Sequence, residues 1–352
     1  MNTSDTPRSA APTPLAALAG PVITASSPPS GPAGTTVTLT GSGFTGVVAV
    51  RFGATAATSY LVVSDTHISA VAPAGSGTVQ ITVISAGGTS NGVPYSYLPV
   101  PVISAVSPNQ GPTAGGNTVT LTGTGFTGAT AVRFGATVAT SFTVVSPTQI
   151  TAVVPPGAAG PVTVTVTTPG GTSTAGPTYF YVSAPVLTAL SPESGPLAGG
   201  NTVTLTGSHL VEATAVTFGA VPASSFTVVS DVQITAVAPA GAAGTVQVTV
   251  GTAGGTSGPL AYTYLAAPVV TTLSPTEGPT SGGNSVTVTG TGLTATTQVT
   301  FGATPAAFTV VSDSTLVAQA PAGGAGPVGV TITTPGGTSS AVTYTRVAPP
   351  GI

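Results

Sequence analysis

The sequence has almost no charge, no cysteine and no tryptophan. Of its 352 residues, 4 are arginine, 7 are aspartate or glutamate, and none is lysine. Charged residues make up 3% of the chain, against about 25% in an average soluble protein. Four scattered arginines cannot form the basic surface that neutralises nucleic-acid phosphates. The composition therefore excludes a nucleic-acid-binding protein, and the lack of cysteine excludes a disulfide framework.

Long apolar runs are also missing, although the mean hydropathy is +0.50. A membrane-spanning helix needs about 20 consecutive apolar residues, and the longest candidate, residues 14–23, is short and interrupted by Pro14, Gly20 and Pro21. The sequence therefore predicts no membrane span. We interpret residues 1–20 as a flexible or docking arm. A secretion signal is the weaker alternative, because the apolar run is short and contains proline.

What the sequence does contain is one unit repeated four times. A Ser-Pro-x-x-Gly-Pro motif has its glycine at positions 31, 111, 195 and 278, and a Phe-Gly pair begins at 52, 134, 218 and 301. A Gly-Gly pair begins at 87, 170, 254 and 336. Three markers with one period predict tandem domains. The predicted bounds are an N-terminal arm at 1–20, domains at 21–99, 100–183, 184–266 and 267–348, and a C-terminal tail at 349–352.

The hydrophobic pattern within each unit has the period of a β-strand. In the second unit, Val119 and Leu121 alternate with threonines, which is typical of half-buried antiparallel strands. We predict an all-β fold of four tandem immunoglobulin-like β-sandwich domains in a rod, with Phe126 plugging the end of the second sandwich. The strands predicted for that unit cover residues 101–106, 117–122, 131–134, 141–145, 149–154 and 162–168, with a last strand ending at Tyr179 and Tyr181.

The repeated motifs resemble a known family. The segments S-P-x-x-G-P, V-T-L-T-G-x-G-F, V-x-F-G and G-G-x-S, in that order, are similar to the IPT/TIG family over residues 21–347. The resemblance implies an immunoglobulin-like, early-set sandwich, of the type found in bacterial surface or virion proteins. Because the family also occurs in receptors, transcription factors and starch-degrading enzymes, the resemblance is a weak guide to activity.

The few ionisable residues offer little chemistry. Asp65, Asp231 and Asp313 occupy equivalent places, and we predict that they form turns. Glu193 and Glu277 are predicted to be solvated turn residues. The arginines at 51 and 133 precede the Phe-Gly pair, and we expect them on an exposed strand face, with a glycan or partner contact as the alternative.

Catalysis is the weakest of the functional hypotheses. His67 and His209 fall at unrelated positions, whereas a triad needs one base held by one acid beside a hydroxyl. Asp65 is two residues from His67, which on a strand would place both on one face. The tyrosines recur mainly at the last strand of each unit, so we expect packing rather than a sugar-binding platform. No catalytic, cofactor-binding or metal-binding residue is predicted.

The sequence therefore predicts a non-catalytic structural protein. Because a surface of Thr, Ser, Ala and Gly can pack against copies without burying unpaired charge, we predict a self-associating protomer of an extracellular filament, sheath or virion appendage. The alternative is a cell-surface adhesin or an array of carbohydrate-binding modules. The predicted partners are copies of the chain in a homo-oligomer or fibre, or a cell-surface or glycan partner. The predicted location is extracellular or at the cell surface.

Overall fold

The protein was examined as a computed structural model that describes residues 19–174 and 176–349. Within these ranges the regular structure is β-strand, and no helix occurs. The all-β prediction is thereby confirmed. The predicted arm lies outside the described residues except for residues 19 and 20, and the predicted tail lies outside them except for Pro349.

The chain divides into two compact units, each holding two of the repeats. The first unit contains repeats 1 and 2, except that residues 110–113 and the chain from Tyr181 onward are grouped with the second. The strands of domain 1 are β1 (Val22–Ser27), β2 (Ser30–Gly31), β3 (Thr36–Ser42), β4 (Val47–Phe52), β5 (Thr55–Ala56), β6 (Ser59–Ser64), β7 (His67–Val71), β8 (Thr78–Ser85), β9 (Gly88–Thr89) and β10 (Val93–Tyr97). The strands of domain 2 are β11 (Val102–Ser107), β12 (Gln110–Pro112), β13 (Thr118–Thr124), β14 (Ala131–Phe134), β15 (Thr137–Val138), β16 (Ser141–Ser146), β17 (Gln149–Val153), β18 (Gly160–Thr168), β19 (Gly171–Thr172) and β20 (Thr178–Val182).

The second unit repeats the same order of strands. The strands of domain 3 are β21 (Val186–Ser191), β22 (Ser194–Pro196), β23 (Thr202–Ser208), β24 (Ala215–Phe218), β25 (Val221–Pro222), β26 (Ser225–Ser230), β27 (Gln233–Val237), β28 (Gly244–Thr252), β29 (Gly255–Thr256) and β30 (Leu260–Leu265). The strands of domain 4 are β31 (Val269–Ser274), β32 (Glu277–Pro279), β33 (Ser285–Thr291), β34 (Gln298–Phe301), β35 (Thr304–Pro305), β36 (Phe308–Ser312), β37 (Thr315–Gln319), β38 (Gly326–Thr334), β39 (Gly337–Thr338) and β40 (Val342–Val347).

Each domain is a sandwich of two sheets. In domain 1 the smaller sheet has the order β1-β3-β7-β6, and the larger has the order β2-β10-β8-β4-β5 with β9 beside β8. The other three domains repeat this order. Most strand pairs in the four domains are antiparallel, whereas β2 joins β10, β22 joins β30 and β32 joins β40 in parallel. The predicted tandem immunoglobulin-like sandwiches are therefore confirmed.

Alternation along the strands places the apolar side chains between the sheets. On β13, Val119 and Leu121 are buried while Thr118 and Thr122 are exposed. This follows from the pleat, which turns successive side chains to opposite faces. Phe126 is fully buried, as predicted, with Phe44, Leu210 and Leu293 at the same place in the other domains.

An aromatic pair fills the centre of each core. The tyrosine that comes first in the last strand packs edge-on against the phenylalanine of the Phe-Gly motif, with ring centroids 5.1 to 5.2 Å apart. The predicted packing role of the recurring tyrosines is confirmed, since Tyr95, Tyr179, Tyr262 and Tyr344 are fully buried. Such edge-to-face pairs contribute about 0.5–1.5 kcal/mol beyond their buried area.

The strands predicted for domain 2 are present with small shifts of their ends. Three short strands were missed, at Gln110–Pro112, Thr137–Val138 and Gly171–Thr172. Strands of two or three residues show no alternation, because one full repeat of the pattern already takes two residues.

Candidate functional site

The most regular feature of the surface is a set of exposed valines on the edges of the smaller sheets. Strands β1 and β6, and their equivalents, stand at the two ends of each smaller sheet. Each of these eight edge strands carries one valine that is 47% to 64% exposed. The eight residues are Val22, Val63, Val102, Val145, Val186, Val229, Val269 and Val311.

A bulge at the second edge explains why its valines face the solvent. In domain 1, Val62 pairs with Ile68 and Ser64 pairs with His67, so Val63 is an extra residue in the ladder. The same shift recurs on β16, β26 and β36. A bulge leaves one residue unpaired and bends the strand. Val62 packs toward the core, and its neighbour is left on the surface.

These edges have no charge. The eight strands contain no Asp, Glu, Lys, Arg or His. Natural sheets commonly protect their edges with charged side chains, proline or bulges. Here the bulge is the only one of these devices within the strands, so the edges offer an apolar side chain and unpaired backbone groups. The double valine of V-V-S was the signal that could have revealed this surface, because both valines cannot face the core of a strand with period two.

The three repeated aspartates lie in the turns predicted for them and also tie down a loop. The carboxylate of Asp65 accepts hydrogen bonds from the backbone N–H groups of Gly43 and Thr45, at 3.2 and 3.0 Å, and from the Thr45 hydroxyl at 2.8 Å. Asp313 accepts hydrogen bonds from the Gly292 N–H and the Thr294 hydroxyl. The turn prediction is correct, but the sequence did not reveal the second loop that these carboxylates reach.

Hydrogen bonding explains the acidity of these two aspartates. Donation from Thr45 and Gly43 lowers the pKa of Asp65, and donation from Thr294 and Gly292 lowers the pKa of Asp313. A carboxylate that accepts several hydrogen bonds favours its charged form. Both groups are therefore engaged in holding loops.

His67 and Asp65 do not share one face of a strand, which was the arrangement considered from the sequence. Asp65 lies in the turn before β7, and only His67 belongs to the strand. The His67 ring instead contacts the Thr66 hydroxyl, at 2.9 Å. His209 lies in another domain at a left-handed position, with φ 56°, and its backbone N–H donates to Asp231 at 3.3 Å.

The remaining charged residues that were singled out are on the surface. Arg51 and Arg133 lie on exposed strand positions, as predicted, and each donates to the carbonyl of its own hairpin turn, at Ala54 and Ala136. Glu193 and Glu277 are exposed beside the Ser-Pro turn. Among residues 19–174 and 176–349, no group of three or more His, Cys, Asp or Glu could hold a metal ion.

Two clefts lie at the entry ends of domains 2 and 4. One of about 340 Å³ in domain 2 is bordered by Pro99, Gly125 and Pro169. Another of about 300 Å³ in domain 4 is bordered by Ala266, Gly292 and Asp313. Both lie where the linker that enters a domain meets its loops. Within the described residues, no helix long and apolar enough to cross a membrane occurs.

The chain is similar in part to several known proteins. Human plexin-B3 is 36% identical over 126 residues, a stretch that is 32% of this chain and 6% of the plexin. The Escherichia coli adhesin FdeC shares 16% identity, with 72% of this chain and 98% of that chain covered and a TM-score of 0.31. SGBP-B from a complex xyloglucan utilization locus in Bacteroides uniformis shares 20% identity, with 66% of each chain covered and a TM-score of 0.25.

The chain spans only a small part of the plexin, and the likeness to the two bacterial structures is too low to carry an argument about function. The IPT/TIG domain family, in contrast, matches four times, at residues 21–97, 101–181, 185–264 and 268–345. Together these matches cover most of the chain. The chain therefore belongs to the IPT/TIG domain family.

Proposed function

We propose that the chain is a non-catalytic, extracellular binding protein of the adhesin type, which holds a protein partner along the uncharged edges of its domains. The observation that carries the proposal is the exposed valine that recurs on both edges of all four smaller sheets. An extracellular or cell-surface location is part of the same proposal.

The valines are not needed by the cores, which supports a role outside the fold. Core clusters of domains 1, 3 and 4 consist of other residues, and each is built from both sheets of its own domain. Single exposed apolar residues need no explanation, but a regularly repeated set at sheet edges is the kind of surface that partners use. An uncharged edge also removes the desolvation cost of burying ions.

The distribution of aromatic side chains favours a protein partner over a glycan. Sugar-binding sites depend on exposed aromatic faces, and the repeated tyrosines are buried in the cores. Among the described residues, the exposed aromatic side chains are Tyr60 and Phe180, at 37% and 43%. They belong to different sheets of different domains, so they form no repeated platform.

Self-association in a filament, sheath or virion appendage is the second candidate function. The repetition of the edges favours it, because the four similar sheet edges of one copy would match the four edges of a second copy. Charge depletion also removes the repulsion that keeps ordinary soluble proteins apart.

Binding to cells distinguishes the two candidates. The labelled chain is incubated with intact bacterial and eukaryotic cells, either untreated, treated with protease, or treated with periodate to oxidise glycans. The adhesin proposal expects binding that protease removes and periodate leaves unchanged. Loss after periodate alone would replace the protein partner with a glycan. Absence of binding to every cell, together with large assemblies in light scattering, would overturn the proposal in favour of self-association.

A further inference from the structure

The end of domain 3 packs against a turn of domain 4. We call the surface that receives the turn, formed by Pro196, Ala266 and Ala267, the seat of domain 3. That turn, residues 335–336, joins β38 to β39, which begins at Gly337. A Cβ atom added to Gly337 would lie 3.9 Å from the Cβ of Pro196 and 3.5 Å from that of Ala267. A Cβ atom on Gly336 would collide with the carbonyl oxygen of Ala266. Glycines thus let this turn approach the linker and the end of β22 closely.

Domain 4 repeats this seat at its own far end. Pro196 pairs with Leu265 in domain 3, and Pro279 pairs with Val347 in the same parallel register. Around Pro279 lies a cleft of about 430 Å³, which is bordered by residues 277–281 and 347–349 of domain 4 alone. We call these two segments the seat of domain 4.

Domain 1 carries the matching turn at its opposite end. Residues 86 and 87 join β8 to β9, and Ala86 is exposed. Gly88 has φ 121°, and Gly337 at the equivalent place has φ 117°. A Cβ atom on Gly88 would meet nothing within 4 Å. The turn of domain 1 therefore has the backbone shape that fits the seat of domain 3, and among residues 19–174 and 176–349 nothing lies against Gly88.

A buried guanidinium lies beside the seat of domain 4. In domain 3, Tyr264 occupies this place and donates to the carbonyl of Pro239 at 2.8 Å. In domain 4 the residue is Arg346, which is 8% exposed, and its Nε and Nη2 atoms have no hydrogen-bond partner. Its side chain packs on Gly323, whose N–H donates to the carbonyl of Thr280 in the seat.

Unpaired buried donors are costly, and a guanidinium more so than a neutral group. The turn at Ala86 and Gly87 is uncharged, so it would bring no ion of its own into the seat.

We propose that the β8–β9 turn of one copy of the chain docks in the seat of domain 4 of a second copy, so that copies join head to tail. A head-to-tail contact uses different surfaces on the two partners and can therefore continue into a filament. The inference concerns the ends of the domains and not the valine edges, so it can fail while the adhesin proposal survives, and the reverse.

Two blocking substitutions in the full chain test the direction of the contact. Ala348→Arg places a bulky charge in the seat, and Ala86→Arg does the same on the turn. Both residues are exposed, so neither change disturbs a core. In light scattering over a concentration series, the unmodified chain is expected to pass beyond the mass of a dimer, and each variant is expected to stay a monomer. An equimolar mixture of the two variants retains one intact seat and one intact turn, and is expected to stop at a one-to-one dimer.

The control variant is Ser312→Arg, which places the same charge on the edge strand β36 of the same domain. It is expected to assemble like the unmodified chain. An unmodified chain that stays monomeric at all concentrations would overturn the proposal. So would an Ala348→Arg variant that assembles normally, or a Ser312→Arg variant that loses assembly to the same extent.

Discussion

Domains 1 to 3 differ from domain 4 at one position of the last strand. The first three end in Tyr-x-Tyr, with Tyr97, Tyr181 and Tyr264 as the second tyrosine, whereas domain 4 has Arg346 there. Tyr97, Tyr264 and Arg346 each lie over a glycine of the loop that precedes the longest strand of their domain. The fold thus requires a long side chain with a flat end at this place, while the polar tip can vary.

The first tyrosine of the pair is present in all four domains, so it is the reference against which the variable second position is compared. In domains 2, 3 and 4 its hydroxyl exchanges hydrogen bonds with an asparagine, as Tyr262 does with Asn201 at 2.8 and 3.1 Å. In domain 1, Tyr95 has a threonine nearby in place of asparagine and reaches the carbonyl of Pro32. The core pair with phenylalanine is the same in all four domains.

The largest effect is expected from removing the first tyrosine. Tyr262→Ala should destabilise domain 3 by about 3–5 kcal/mol, because it leaves a cavity in a filled core. Tyr344→Ala should cost domain 4 a similar amount, since its environment is equivalent. Hydrogen exchange read by mass spectrometry, peptide by peptide, gives the stability of each domain in the intact chain. A loss confined to one of the two domains would contradict the equivalence of the cores.

Exchanging the second residue should have opposite effects in the two domains. Arg346→Tyr removes buried donors that lack partners, so it should raise the free energy of unfolding of domain 4 by about 1–3 kcal/mol. Tyr264→Arg introduces such donors into domain 3 and should lower its stability by a similar amount. The same exchange measurement checks both variants. Destabilisation by Arg346→Tyr would show that the guanidinium is better accommodated than the structure indicates.

A smaller difference is expected between the tyrosines themselves. Tyr264→Phe loses the hydrogen bond to Pro239 and should cost domain 3 about 0.5–1.5 kcal/mol. Tyr97→Phe should cost nothing, because the buried Tyr97 hydroxyl has no partner. Burial raises the pKa of both phenols, and the adjacent tyrosine adds to the effect. Domain-resolved unfolding of the two variants is the check, and equal losses would contradict the account.

The smallest effect is expected from a change of pH, which acts through the carboxylates of Asp65 and Asp313. The pKa of Asp65 and Asp313 is lowered in the folded chain by hydrogen bonds from their loops. The stability that these carboxylates contribute is therefore fully present above the ordinary pKa near 3.8 and is lost as the pH falls through the lower folded value. Domain 2 has Pro147 in place of the aspartate.

Acidification should thus loosen the loop after β3 in domain 1 and the loop after β33 in domain 4, and should leave the loop after β13 in domain 2 unchanged. Backbone amide chemical shifts followed through an acid titration would report this. Asp65→Asn serves as the control, because its loop should no longer respond to acid. An identical response of all three loops would contradict the role given to the carboxylates.

Much of the fold was predictable because the repeat, the alternation and the turn residues agree. Val119 and Leu121 identified the core face of β13, and Phe126 identified the plug at the end of the sandwich. The short strands escaped prediction because two or three residues are too few to show an alternating pattern. The loop contacts of Asp65 escaped prediction because its partners lie 20 and 22 residues away.

The surface was less predictable than the core. The sequence showed that charge is missing, but it did not show where the exposed apolar groups would lie. On β6 and its equivalents their position depends on a bulge, and a bulge is a property of pairing between two strands. The replacement of tyrosine by Arg346 was visible in the sequence, but its burial became evident only with the packing on Gly323. The predicted rod stays a prediction.

The most direct test of the central claim places lysine on the valine edges. One variant carries the substitution at Val63, Val145, Val229 and Val311. The matched control carries lysine at four exposed threonines of the larger sheets, Thr78, Thr163, Thr245 and Thr343. Both variants have the same net charge. The account predicts that adhesion to cells falls at least about tenfold for the edge variant, which corresponds to about 1.4 kcal/mol, and stays unchanged for the control. Equal adhesion by the two variants and the unmodified chain would contradict it.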